Sequence, residues 1–187
     1  MKIKNQIPAI ETEYRGVLFR SRLEAKWASF FDLVGWPWQY EPLDLKGYIP
    51  DFILTMPKGP IIVEVKPELY LEELIQYAPK IQDSGWKHES LIVGTGPFNI
   101  QTGRAYLGML DERGKGYPDA DPDAHWWSNA VFHKCTNCGH YSFHHEEGMF
   151  FCRHSGCYEG DHYLGIIDFD EAFRLFAVAS QQARWNP

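Results

Sequence analysis

The chain contains no run of eighteen or more apolar residues, roughly the length that a membrane-spanning helix requires. Met1-Lys2-Ile3-Lys4 leads into no apolar signal region. A soluble, intracellular (cytoplasmic) protein with no membrane partner is expected. Cysteine is scarce: four in 187 residues, all between positions 133 and 162. In a chain read as intracellular, that confinement argues against a disulfide framework. Basic residues are in deficit, 18 Lys and Arg against 25 Asp and Glu, for a net charge of −7. This argues against a protein that coats nucleic acid nonspecifically. Gly94-Thr95-Gly96 lacks the Lys and Ser/Thr that a phosphate-binding loop places after its glycines. No internal repeat or low-complexity tract is present.

What the chain does have is apolar bulk. Hydrophobic residues make up 44% and aromatics 16%, enough for a packed core and against disorder. Charge is unevenly spread. Residues 1–26 hold six bases (Lys2, Lys4, Arg15, Arg20, Arg22, Lys26) against three acids (Glu11, Glu13, Glu24). A basic N-terminal face could meet phosphates.

Periodicity predicts the elements. Tyr14 to Phe19 reads as a hairpin arm bent at Gly16. Ser21 to Val34 reads as a helix with Leu23, Trp27, Phe30, Phe31 and Val34 inward, stopped by Gly35-Trp36-Pro37. Strands are expected at Trp38–Glu41, Ile49–Thr55, Ile61–Lys66, Leu91–Val93 and Arg104–Leu110. Leu69–Ile81 reads as a second helix with Leu71, Leu74, Ile75, Ala78 and Ile81 inward. Asp111–Asp123 reads as a linker, and Asp170–Arg184 as a closing helix burying Ala172, Phe173, Phe176 and Ala179.

Ile61-Ile62-Val63-Glu64-Val65-Lys66 is the most informative stretch. Side chains alternate along a strand, so Glu64 and Lys66 share one face and Val63 and Val65 the other. Charges are rarely set in a buried strand without a partner. With Asp51 after Pro50, they form two carboxylates and an ammonium at the lip of a sheet. Such a set would hold a hard divalent cation and act on a phosphate. Glu24, one turn before Trp27, is a further candidate. Ser21-Arg22-Leu23-Glu24 is also a capping box, so Glu24 has two readings. Glu64 and Lys66 likewise have the plainer reading of a surface pair.

Phe19-Arg20-Ser21-Arg22-Leu23-Glu24-Ala25-Lys26-Trp27, Pro50-Asp51-Phe52 and Val63-Glu64-Val65-Lys66-Pro67 together resemble the PD-(D/E)xK nuclease superfamily. Two branches are most similar: the phage endonuclease I group, which resolves branched DNA, and the TnsA group, which cuts at transposon ends. The resemblance covers roughly residues 14–95. It implies an α/β, restriction-endonuclease-like mixed sheet flanked by helices, and Mg²⁺- or Mn²⁺-dependent DNA cleavage. By position it assigns Asp51 and Glu64 to the metal, Glu24 to completing that site and Lys66 to assisting catalysis. Gln76 matches loosely a polar residue that some branches use. The acidic net charge departs from what a junction-gripping enzyme would show.

Cys135-Thr136-Asn137-Cys138 and Cys152-Arg153-His154-Ser155-Gly156-Cys157 form two close pairs with zinc-ribbon spacing. Four thiolates would close the shell, making this zinc structural. His140, His144, His145, His154 and His162 are spare candidates, with His154 able to replace a cysteine. Tyr141, Phe143, Phe150 and Phe151 would form a small ribbon core. Trp36, Trp38, Trp126 and Trp127 could stack on bases, or pack in the core.

The expected architecture is a nuclease core over 1–125, a zinc ribbon over 126–165 and a C-terminal helix over 166–187. The expected activity is metal-dependent DNA endonuclease, with branched, phage or mobile-element DNA as candidate substrates. A homodimer or a recombination or transposition partner is the candidate assembly. The alternatives are a transposon-end nuclease subunit and a non-catalytic zinc-ribbon adaptor binding DNA or protein.

Overall fold

The structure, a computed structural model, describes residues 9–113, 121, 123–148, 151–157 and 164–184. Lys2, Lys4, Phe150, His162 and most of the linker expected over 111–123 lie outside the described residues. The fold is mixed α/β, with a mostly antiparallel sheet and few helices. Among the described residues no helix is long and apolar enough to cross a membrane.

A hairpin comes first, β1 (Thr12–Tyr14) with β2 (Val17–Phe19). Arg15 and Gly16 turn it at φ 49° and 77°, the two positive φ values that a tight hairpin turn demands. Helix α1 (Arg22–Val34) starts at Ser21, whose side chain accepts from the Glu24 N–H, and ends at Gly35, at φ 75°. There the Trp36 N–H returns to the Phe31 carbonyl at 2.8 Å, which satisfies a carbonyl the helix leaves open.

The sheet follows: β3 (Trp38–Tyr40), β4 (Phe52–Met56), β5 (Gly59–Val65), β6 (Ser90–Val93), β7 (Tyr106–Asp111), β8 (Trp127–Cys135), β9 (Tyr141–His145) and β10 (Leu164–Ile166). β3, β4 and β5 are antiparallel neighbours, and β6 lies parallel to β5 on the far side. β7 and β8 continue the sheet antiparallel, and both β9 and β10 pair with β8. The boundary expected at residues 125/126 therefore falls inside one continuous sheet.

The single helix expected over Leu69–Ile81 is three pieces. They are α2 (Leu71–Leu74), a 3₁₀ turn (Ile75–Tyr77) and α3 (Ala78–Asp83), with Pro79 in the first turn of α3. Proline has no N–H, and its ring clashes with the carbonyl four residues back, so a continuous helix breaks there. The tighter 3₁₀ turn carries Ile75 out to solvent, while Leu71, Leu74, Ala78 and Ile81 stay buried.

Alternation along β5 feeds two cores. Ile61, Val63 and Val65 pack with Trp27, Phe30 and Phe31 of α1 and with Phe176 of α4 (Phe169–Gln182). Ile62 packs on the opposite face with Leu71, Leu74, Ala78 and Ile81. Phe132 and Phe143 belong to the first core, and the Phe143 ring lies 5.1 Å from that of Trp36. The separate ribbon core expected around Phe143 is thus absorbed into the main one. Trp36 is buried and donates through Nε1 to the Tyr141 carbonyl at 2.9 Å, a packing role rather than a base-stacking one. Phe173 is exposed rather than inward. It lies about 100° around α4 from Ala172, with its ring stacked on Phe169 at 6.2 Å and tilted against Phe98 at 5.6 Å.

Candidate functional site

Glu64 and Lys66 leave β5 on the face opposite Val63 and Val65, toward α2 and α3. Glu64 is 3% exposed. Its Oε1 accepts from Lys66 Nζ at 2.5 Å, and its Oε2 from the Tyr48 hydroxyl at 2.9 Å. Asp51 precedes β4. The β4–β5 register pairs Phe52 with Val63, so one further step sets Asp51 opposite Glu64. Asp51 Oδ2 accepts from the Val65 N–H at 2.7 Å. Burial, then the Glu64 charge, pushes the Asp51 carboxyl up to about 7. The Val65 N–H and Lys66 act in the opposite direction, while Glu24 adds to the rise.

Glu24 reaches this end of the sheet from the first turn of α1. Its Oε1 accepts from the Ser21 hydroxyl at 2.7 Å and its Oε2 from the Tyr40 hydroxyl at 2.6 Å. The cap is therefore present, with Glu24 bonded to the Ser21 side chain rather than to a backbone amide. The cap does not exhaust the residue, because its second oxygen faces β3.

Three tyrosines hold three acids here. Tyr48 donates to Glu64, Tyr40 to Glu24 and Tyr77 to Glu68, the last at 2.6 Å. Burial first, and then the neighbouring acids, raise all three phenols; Tyr77 stands at about 12. Each is a firm donor at neutral pH. Lys66 Nζ lies 5.3 Å from the centre of the Tyr77 ring. Sequence reasoning missed Tyr40, Tyr48, Glu68 and Tyr77. The available signal was Glu68 two residues beyond Lys66, repeating the face of Glu64. Gln76 is exposed, and its Nε2 donates to the Glu73 carbonyl at 2.6 Å and to Glu68 Oε1 at 3.4 Å.

Glu24, Asp51 and Glu64 do not gather their oxygens as tightly as a ready-made cation cage. Among the described residues, only Cys135, Cys138 and Cys152 bring three ligand atoms within 4.8 Å of one another. Both Glu64 oxygens are occupied by Lys66 and Tyr48, and both Glu24 oxygens by Ser21 and Tyr40. The donor chemistry nonetheless suits a hard divalent cation. Asp51 and Glu64 repel one another in a buried setting, and a cation between them would relieve that repulsion.

The cysteines occupy two matching turns. The Gly139 N–H returns to the Cys135 carbonyl at 2.8 Å, and the Gly156 N–H to the Cys152 carbonyl at 2.7 Å. Both glycines are left-handed, at φ 74° and 78°, where a Cβ would strain the backbone. All four cysteines are free thiols. The Cys138 and Cys152 sulfurs are 3.7 Å apart. A tetrahedral zinc with sulfurs at about 2.3 Å spaces them about 3.8 Å apart, so the cluster could bind a metal such as zinc. Cys157 stands outside the trio, and its sulfur accepts from Asn137 and Ser155, each at 3.0 Å. Those two bonds draw its thiol down. Burial alone would raise the Cys152 thiol, but hydrogen bonds from His133, Ser155 and the backbone bring it to about 5. His133 Nδ1 lies 3.0 Å from His144 Nδ1, and the His140 ring stacks on His154 at 4.6 Å.

Arg153 ties this loop to the sheet. It is 1% exposed, with Nε 2.9 Å from Glu89 and Nη2 2.9 Å from Glu112. It also donates to the Phe143 carbonyl and lies between the Phe143 and Phe151 rings. Glu89 precedes β6 and Glu112 follows β7, so one guanidinium joins three segments.

The chain is thus a mixed α/β protein with an acid–lysine site at one end of its sheet and a three-cysteine cluster able to hold metal. No protein-family model, no curated protein and no solved structure matches it.

Proposed function

We propose that the chain is a divalent-metal-dependent DNA endonuclease of the PD-(D/E)xK type, with a zinc-stabilised loop. The carrying observation is the convergence of buried Glu64 and its partner Lys66 with Asp51, opposite them across β4 and β5. The mixed sheet, with α1 on one face and α2 and α3 on the other, agrees with the restriction-endonuclease-like architecture that the motif resemblance implies. Asp51 and Glu64 would hold Mg²⁺ or Mn²⁺, and Glu24 would complete the shell through the oxygen now on Tyr40.

A bound divalent cation supplies charge neutralisation on the phosphate and acidifies a water molecule. The protein's own groups do the rest. Lys66, on the strand next to the acids, offers an ammonium to the non-bridging phosphate oxygens, where charge builds as the water oxygen bonds to phosphorus. The phosphodiester P–O bond breaks as that bond forms; the attacking water gives its proton to bulk water, and the departing oxygen takes one from bulk water. Tyr77 supports Lys66 from below, across its ring face.

The three-cysteine cluster favours a second reading, a non-catalytic adaptor that binds DNA or protein through its zinc loop. Incubation with linear, single-stranded and branched DNA, in Mg²⁺ and in chelator, separates the two. The nuclease reading expects Mg²⁺-dependent cleavage that Glu64→Gln abolishes; the adaptor reading expects binding without cleavage.

A further inference from the structure

Glu64 has two carboxylate oxygens and two fixed partners of different kinds. Tyr48 is 3% exposed and packs in the core beneath α2 and α3 with Ile62, Leu71 and Leu74. Its approach is set by a tight turn. Lys46 and Gly47 are at φ 55° and 85°, the Gly47 N–H donates to Asp44 Oδ1 at 2.8 Å, and Leu45 bridges to Tyr48. Lys66 instead sits on a flexible stem and is partly exposed.

The two partners differ in what they do to a cation. A neutral hydroxyl on Oε2 orients the carboxylate and adds no repulsion. An ammonium on Oε1 occupies the oxygen that a metal ion would take, and repels the ion at short range.

We infer that Tyr48 is a positioning residue that fixes the Glu64 carboxylate from beneath, and that Lys66 is the placeholder a divalent cation displaces from Oε1. The inference rests on the cation reading of the site. It requires that two residues bonded to the same carboxylate have opposite effects on cation affinity. Removing the Tyr48 hydroxyl weakens divalent binding about tenfold, as loss of an outer-shell partner does. Removing the Lys66 charge tightens it by about threefold or more, the effect of deleting one like charge in a partly screened site. Lys66→Met should still lose cleavage, so that affinity and turnover move apart.

The test is titration of the zinc-loaded full chain with Mn²⁺ in the absence of DNA, followed by calorimetry. Glu64→Gln serves as the reference that subtracts any Mn²⁺ held by the cysteines. Tyr48→Phe keeps the ring and its packing, and its melting temperature is recorded beside the affinity. The expected result is weaker binding for Tyr48→Phe and tighter binding for Lys66→Met. Wild-type affinity in Tyr48→Phe, with or without a lower melting temperature, overturns the positioning role while leaving the cation site standing. Unchanged or weaker binding in Lys66→Met overturns the placeholder role. Absence of any Glu64-dependent Mn²⁺ binding in the wild type overturns the cation reading, and this inference with it.

Discussion

Glu64 on β5 and Lys66 just beyond its end meet at 2.5 Å, where the buried carboxylate needs a partner. A carboxylate 3% exposed would face a heavy desolvation cost without that ammonium and the Tyr48 hydroxyl. The pair is therefore stabilised locally and poised electrically at once.

Asp51→Asn and Glu64→Gln should each lower Mg²⁺-dependent cleavage about a thousandfold or more, since each removes a cation ligand and its share of transition-state stabilisation. Single-turnover rates on duplex DNA check this. Near wild-type rates in either variant would remove that residue from the site.

Glu24→Gln distinguishes the two uses of Glu24. Glutamine can still accept from Ser21 and keep the cap, but it ligates Mg²⁺ poorly. An unchanged melting temperature with lost cleavage assigns Glu24 to the site. Retained cleavage assigns it to the cap alone.

Stability should depend on pH through Asp51. Its carboxyl rises from 3.8 to about 7 in the folded state, so between about pH 4 and pH 7 the folded chain keeps a proton that the unfolded chain has lost. Stability therefore falls as pH rises through that window and levels off above it. Asp51→Asn should flatten this slope and stabilise the cation-free protein at pH 8 by about 2 kcal/mol, after discounting for partial exposure. Denaturant melts at pH 4.5 and pH 8 measure it. An equal slope in the variant would place the buried charge elsewhere.

Zinc removal should loosen more than the segment from 133 to 162. β8 and β9 contribute Phe132 and Phe143 to the main core, and Arg153 bonds to Glu89 and Glu112. Hydrogen exchange after chelation should show lost protection in β6 and β7 as well as in β8 and β9. Arg153→Met should cost about 3 kcal/mol or more by removing a buried guanidinium that bonds to Glu89, Glu112 and the Phe143 carbonyl. Protection loss confined to the cysteine turns would mean that the loop folds independently.

Much of the site was legible because charge interrupts pattern. Glu64 and Lys66 break a β-branched run, and Pro50-Asp51 opens the strand that pairs with it, so alternation alone set them on one face. The bend at Gly16 and the Gly35 stop followed from turn chemistry, and α1 from the helical spacing of Leu23, Trp27, Phe30, Phe31 and Val34. The tyrosines were not legible, since a tyrosine in sequence carries no mark of which acid its hydroxyl will meet. The expected module boundary near residue 125 falls inside one continuous sheet for a related reason. A change in composition marks where the cysteines begin, but β8 pairs with β7 through contacts far apart in sequence, which no local pattern reports. Cys157 is spaced like a fourth ligand, and its sulfur accepts from Asn137 and Ser155 beside the other three, a local bonding pattern that spacing does not report.

Cleavage chemistry at Glu64 is tested most directly by comparing wild-type and Glu64→Gln protein, both zinc-loaded, on the same linear and branched DNA. Each is assayed in Mg²⁺ and after Mg²⁺ is replaced by chelator. The expected result is product from the wild type in Mg²⁺ alone and none from Glu64→Gln under either condition, with DNA binding retained by both. Equal product from both proteins, or none from the wild type on any DNA in Mg²⁺ or Mn²⁺, would contradict it.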